Sequence, residues 1–228
     1  MPQLYKSEEK IYDLPTTRHS YWAVDGNDEL KLENSLPFRS EGECRFQRAI
    51  HPHKAAVIIM DPWRNMASEH LNEYFGKVVE SHTLPFVKRA LTLGHPVIAI
   101  TNDPTKMEYN THIDHGLQAL ADEGKLSVVY HQDLDDRSFA SYLRSQEIET
   151  LIYTGFASNW CVLNRAMGMI TMKIQGFKML FVPAASAAVE YGDSWDDQTI
   201  HKAITMVISQ SIAEIIDYDE FMEVSSDS

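Results

Sequence analysis

Three side chains of this sequence have the types and positions for nucleophilic chemistry: Asp61, His131 and Cys161. Each follows directly, or within a few residues, on an apolar run that reads as a buried strand. A thiol beside a carboxylate can be deprotonated and attack a carbonyl carbon, and an imidazole can add positive charge when protonated. Cys161 falls in the first turn of an expected helix, where free N–H groups and the dipole favour a thiolate. Taken singly, each has a plainer reading. Asp61 precedes Pro62 and also fits a turn. His131 also fits a surface histidine, and Cys161 a small buried hydrophobe.

The elements that would position these residues are legible from residue 55 onward. Apolar runs at 55–60, 96–101, 126–130, 150–154 and 178–182 alternate with amphipathic stretches at 68–93, 115–124, 135–147, 159–175 and 194–216. A short sixth strand is expected near 221–224. Continuous apolar strands without period-two alternation are covered on both faces. Their alternation with helices predicts right-handed crossovers and an α/β class, a three-layer α/β/α sandwich around a mostly parallel six-stranded sheet. In such sheets ligands bind beyond the carboxyl ends of the strands, where Asp61, Asn102, Asp103, His131 and the 155–161 segment fall.

Residues 1–54 read differently. "YWAVDGNDELKL" has Asp-Gly between apolar-bearing flanks, the mark of a β-hairpin. The region is too short and polar for a separate domain, and reads as an N-terminal arm on a 55–228 domain.

Bulk composition narrows the classes. A 44% hydrophobic content supports a folded core, and a formal net charge of −13 argues against nucleic-acid and anionic-membrane partners. No run of about 18 apolar residues predicts a spanning helix. The two cysteines suit a reducing, cytoplasmic compartment. His112 and His115 lie three apart but lack a ligand cluster around them, so neither metal nor cofactor is expected. No phosphate-binding glycine loop, G-x-S-x-G or H-E-x-x-H motif is present.

"AAVIIMDPWRNM", with "GFASNWCV" about a hundred residues on, resembles the isochorismatase-like cysteine hydrolases, which include nicotinamidases and N-carbamoylsarcosine amidases. The resemblance spans about residues 54–216 and implies strand order 3-2-1-4-5-6, so that Asp61 and Cys161 face each other. It implies a cis peptide at Phe156–Ala157 and an oxyanion hole from the N–H groups of Ala157 and Cys161. It implies hydrolysis of a C–N bond in a small amide, carbamoyl or ureido substrate through a thioester, in a homodimer or homotetramer. Trp63, Lys106, Tyr109, Phe156 and Trp160 are the expected pocket residues. The family's lysine after the third strand has no counterpart here. His131 stands near its place, and Lys106 and Arg137 are the other cations within expected reach. That departure leaves a second reading open, a catalytically silent member serving as a binding or scaffold subunit.

Overall fold

The computed structural model describes residues 3–6, 8–20, 23–24, 30–31, 42–64, 68–107 and 112–225. Its main sheet has eight strands: β1 (Tyr12–Ser20), β2 (Gly42–Ile50), β3 (Ala55–Met60), β4 (Val97–Thr101), β5 (Leu126–Tyr130), β6 (Thr150–Phe156), β7 (Lys178–Ala187) and β8 (Glu214–Ile216). They lie in the order β2-β1-β8-β7-β6-β3-β4-β5. The six strands from β3 onward are parallel and take the expected 3-2-1-4-5-6 order.

The strand count differs from expectation because the N-terminal region extends the sheet. β1 pairs antiparallel with β2 over nine positions and with β8 through Thr16–Ile216 and Thr17–Ile215. Ala23–Val24 pairs antiparallel with Leu30–Lys31, and the Asp25-Gly26 turn between them lies outside the described residues.

β3 shows how both faces are covered. Every one of its residues is buried. Ala55, Val57 and Ile59 join one core with Phe86, Leu91, Leu117 and Phe221, while Ala56, Ile58 and Met60 join the other with Phe139, Leu143, Met172 and Ile208. Full burial of each Val or Ile contributes about 1.5–3 kcal/mol, so this strand anchors both layers. One layer holds α1 (Glu69–Val78), α2 (Leu84–Leu93), α3 (His115–Asp122) and α8 (Tyr218–Glu223). The other holds α4 (Asp136–Ser145), α6 (Met169–Ile174) and α7 (Thr199–Ser211).

The expected 68–93 helix runs from α1 to α2 through a widened π turn, Val79–Thr83. There Thr83 Oγ1 donates to Ala185 O at 3.0 Å, tying the helix to β7. The expected 159–175 helix is instead broken into α5 (Cys161–Asn164) and α6, with extended backbone at Arg165. The final strand is also displaced. Helical periodicity continues through 216, yet α7 stops at Ser211 and Glu214–Ile216 pairs with β7 and β1. Residues 221–224, read as a strand, fall mostly in α8, whose start is capped by Asp217 accepting from Glu220 N at 3.0 Å.

The N-terminal strand is bonded to the centre through a buried histidine. His95 Nδ1 donates to Ala55 O at 2.7 Å, which leaves Nε2 to accept from Tyr12 Oη at 2.7 Å. Burial drives the His95 pKa down to about 4, against the smaller upward pull of Ala55 O, so the ring is neutral near pH 7.

Candidate functional site

β3 and β6 are neighbours, and the chain departs from them to opposite faces, so their carboxyl ends border a crevice. Gly155 lets the two strands come this close. Its φ is +106°, and a Cβ there would lie 2.2 Å from Met60 O. Only glycine meets both conditions. The next peptide, Phe156–Ala157, is cis.

Asp61 leaves β3 in a left-handed conformation (φ 44°) and is fully buried. Its N–H donates to Ile100 O at 2.8 Å and its carbonyl accepts from Trp63 N at 2.7 Å, which fixes the turn. A buried carboxylate needs partners. His131, which follows β5, brings Nε2 to 3.2 Å from Asp61 Oδ1. Arg165 brings Nη1 to 3.0 Å from Asp61 Oδ2. The same Nη1 lies 3.8 Å from Cys161 Sγ, and Nη2 donates to Asn102 Oδ1 at 2.6 Å. Thus one guanidinium bridges the carboxylate, the thiol and the residue that follows β4.

Arg165 is the cation that the sequence reading did not identify. It lies four positions after Cys161, and the break between α5 and α6 turns it into the crevice. Gly168 makes the break tight: a Cβ there would stand 2.8 Å from Arg165 O and 3.0 Å from Cys161 O. The signals were the Cys-x-x-x-Arg spacing and the nearby glycine.

The other expected cations stay outside. Lys106 is held by Asp103 at 3.2 Å and Asp133 at 3.1 Å on the surface. Arg137 is exposed on the first turn of α4.

Cys161 is half-buried and its thiol is pushed up to about 11. Burial is the largest cause, followed by the Asp61 charge and hydrogen bond, with Arg165 pulling the other way. The thiol therefore rests protonated, against the expectation of a helix-stabilised thiolate. α5 has four residues, too few for a long aligned dipole. The backbone N–H groups of Ala157 and Cys161 have no hydrogen-bond acceptor among the described residues.

Of the expected pocket residues, Trp63 donates from Nε1 to Thr101 Oγ1 at 2.7 Å, and Phe156 is buried against Phe75. Both line a small pocket with Asp61, Pro62 and Gly155. Trp160 is 61% exposed, and Tyr109 lies outside the described residues. Asn102 is a further polar residue here, with Nδ2 buried and unpartnered among the described residues. His112 and His115 are exposed, and among the described residues no three metal-binding side chains gather. No described helix is long and apolar enough to cross a membrane.

Ser158, three positions before Cys161, is fully buried and bonds His201 Nδ1 at 2.9 Å. Buried Glu190 accepts from Ile200 N at 3.0 Å and His201 N at 2.8 Å, capping the start of α7. Through Ser158, these groups tie the segment before Cys161 to α7.

No family model matches the sequence, and no curated protein matches it. Solved structures do share the fold. A cysteine hydrolase from Pseudomonas syringae pv. phaseolicola superposes with a TM-score of 0.57 at 16% identity, over 76% of this chain and 92% of that one. An isochorismatase from Pseudomonas putida gives 0.57 at 19% identity, over 73% and 89%. An octameric hydrolase of unknown specificity from Escherichia coli gives 0.54 at 15% identity, over 75% and 78%. The chain thus has the isochorismatase-like fold.

Proposed function

We propose that the protein is a cysteine-dependent hydrolase of a C–N bond in a small amide, carbamoyl or ureido substrate. The observation that carries this reading is the Arg165 guanidinium, 3.0 Å from the Asp61 carboxylate and 3.8 Å from Cys161 Sγ. It supplies the positive charge that a Cys–Asp pair needs, from a different place in the chain than the lysine of the resembled family. A guanidinium is a fixed cation that orients carboxylates well but transfers protons poorly. In this reading Arg165 holds charge and geometry, and Asp61 alone moves the proton.

Asp61 takes the thiol proton as Sγ attacks the carbonyl carbon. The N–H groups of Ala157 and Cys161 receive the tetrahedral oxyanion. The C–N bond breaks as Asp61 returns the proton to the leaving nitrogen, leaving a thioester on Cys161. Asp61 then takes a proton from water as its oxygen attacks the thioester carbonyl, and the proton passes to the departing sulfur. His131 holds the other carboxylate oxygen. Trp63 and Phe156 form the pocket walls, and residues 55–228 carry the chemistry. Two free thiols fit a reducing cytoplasmic setting, and assembly as a homodimer or homotetramer belongs to the same reading.

One observation favours a silent scaffold instead: the thiol rests near 11, where an attacking thiolate is scarce. Removal of the proton by Asp61 during attack resolves this, because no standing thiolate is required. The test is incubation with a panel of small amides, carbamates and ureas, reading amine release and the intact mass. Turnover with a transient Cys161 acyl adduct, absent from Cys161→Ser and Asp61→Asn, is the expected result. No product and no adduct across the panel, from a folded protein, would leave the scaffold reading standing.

A further inference from the structure

A cavity of about 320 Å³ opens at the amino ends of β6 and β7, the end of the sheet opposite Asp61 and Cys161. β6 spans seven residues, so the two regions are on the order of 20 Å apart. Four cations line the cavity, Arg18, Arg48, Lys173 and Lys178, against one carboxylate, Glu214. In a chain of formal net charge −13, such a concentration of positive charge is unusual.

The carboxylate is already engaged. Glu214 accepts from Arg48 through Nε at 3.0 Å and Nη2 at 2.6 Å, and from Thr16 Oγ1 at 2.6 Å. Lys173 Nζ donates to the carbonyls of Ser211 and Ile212 at the end of α7. Arg18 and Lys178 have no carboxylate partner among the described residues. Glu149, whose carboxyl feels Lys178, is paired with Lys54 at 2.9 Å. Burial and the neighbouring Arg18 charge both lower the Lys173 pKa, so these two cations repel across the cavity. Phe46, under the Arg48 guanidinium, and Phe177 supply the apolar part of the wall.

We propose that this cavity binds a small multivalent anion of the phosphate type, held by Arg18, Lys173 and Lys178. Its size admits a phosphate or diphosphate group with a small body. The preset Arg48–Glu214 pair is the fixed wall, and Arg18 and Lys178 are the groups that a ligand neutralises. The site is separate from the Cys161 crevice and does not depend on the hydrolase reading.

The test is isothermal titration of the full chain with inorganic phosphate, pyrophosphate and ADP at constant ionic strength, with melting temperature in parallel. Saturable one-to-one binding of pyrophosphate, weakened at least about tenfold in Arg18→Gln and in Lys178→Gln, is the expected result. Arg18→Lys should retain most of the binding, which separates charge from packing. Cys161→Ser should bind as the unaltered chain does. Tighter binding of ADP than of pyrophosphate would assign the aromatic wall to a base, and equal binding would assign the site to the phosphates alone. Absence of saturable binding by all three anions overturns the proposal. So does binding that survives both Gln substitutions, or binding lost in Cys161→Ser.

Discussion

Replacing Arg165 with glutamine removes the charge that bridges Asp61 and Cys161, and its consequences follow from the geometry. A unit-charge pair at 3.0 Å in an effective dielectric near 20 interacts by about 5 kcal/mol. Breaking a buried pair by removing one partner typically costs about 3–5 kcal/mol. Asp61 is fully buried, but the Arg165 side chain is 30% exposed and His131 keeps its place on the other oxygen. These two features reduce the expected loss to about 2–3 kcal/mol. For a domain of this size that is a fall in melting temperature of about 5–10 °C. A second consequence concerns the thiol. Arg165 is the group that lowers the Cys161 pKa, so its loss moves the thiol further above about 11 and slows alkylation at lower pH. Urea melts near pH 7 and iodoacetamide kinetics against pH measure both effects. In an Asp61→Asn background the Arg165→Gln cost should shrink, giving a coupling energy of about 2 kcal/mol. A variant within about 0.5 kcal/mol of the parent, with an unchanged alkylation profile, would refute the role of Arg165 as counterion.

Three further outcomes are expected. Iodoacetamide labelling of Cys161 should keep accelerating beyond pH 9 toward about 11; because this pKa is raised from 9.0, the associated stability is full below about 9 and is lost as pH rises to about 11, a slope absent in Cys161→Ala. His95 has the opposite sign: its pKa is depressed from 6.5 to about 4, so roughly 3 kcal/mol of stability, full above about 6.5, is lost as pH falls through that window. His95→Gln should flatten this slope in acid melts, and an unchanged slope would assign it to other groups. Gly155→Ala should cost more than about 3 kcal/mol or prevent soluble expression, because the new Cβ meets Met60 O at positive φ, whereas an unaltered urea midpoint would contradict the close approach.

What could be read in the sequence was whatever burial imposes on residue type. β3, β4 and β6 are apolar on both faces, so their ends, and with them Asp61 and Cys161, were visible at once. The order of the parallel strands came with the resemblance, and the structure has it. β2 was missed although its exposure alternates, because its inward positions include Cys44 and Arg48 alongside Phe46 and Ile50. β1 was missed because Pro15 and its polar residues mask the strand, and one of its two neighbours, β8, is distant in sequence. β8 was hidden by "AEII", which continues a helical period while tertiary pairing makes it a strand. Arg165 escaped for a related reason. Periodicity extends the helix through it, and only the backbone break before Gly168 turns its side chain toward Asp61.

The placement of β1 between β2 and β8 also orders events in time. Its hairpin with β2 uses local pairing and can close while the chain is short. Its other edge waits for β8, whose Glu214 is 198 positions away from Thr16. At a synthesis rate of about 5–20 residues per second, that interval is on the order of ten seconds or more. During it the early hairpin presents an unpaired edge, and Glu214 and its neighbours are still to be made. Completion of the sheet is therefore a late step, in which the last strand enters between β1, laid down much earlier, and β7, made shortly before it.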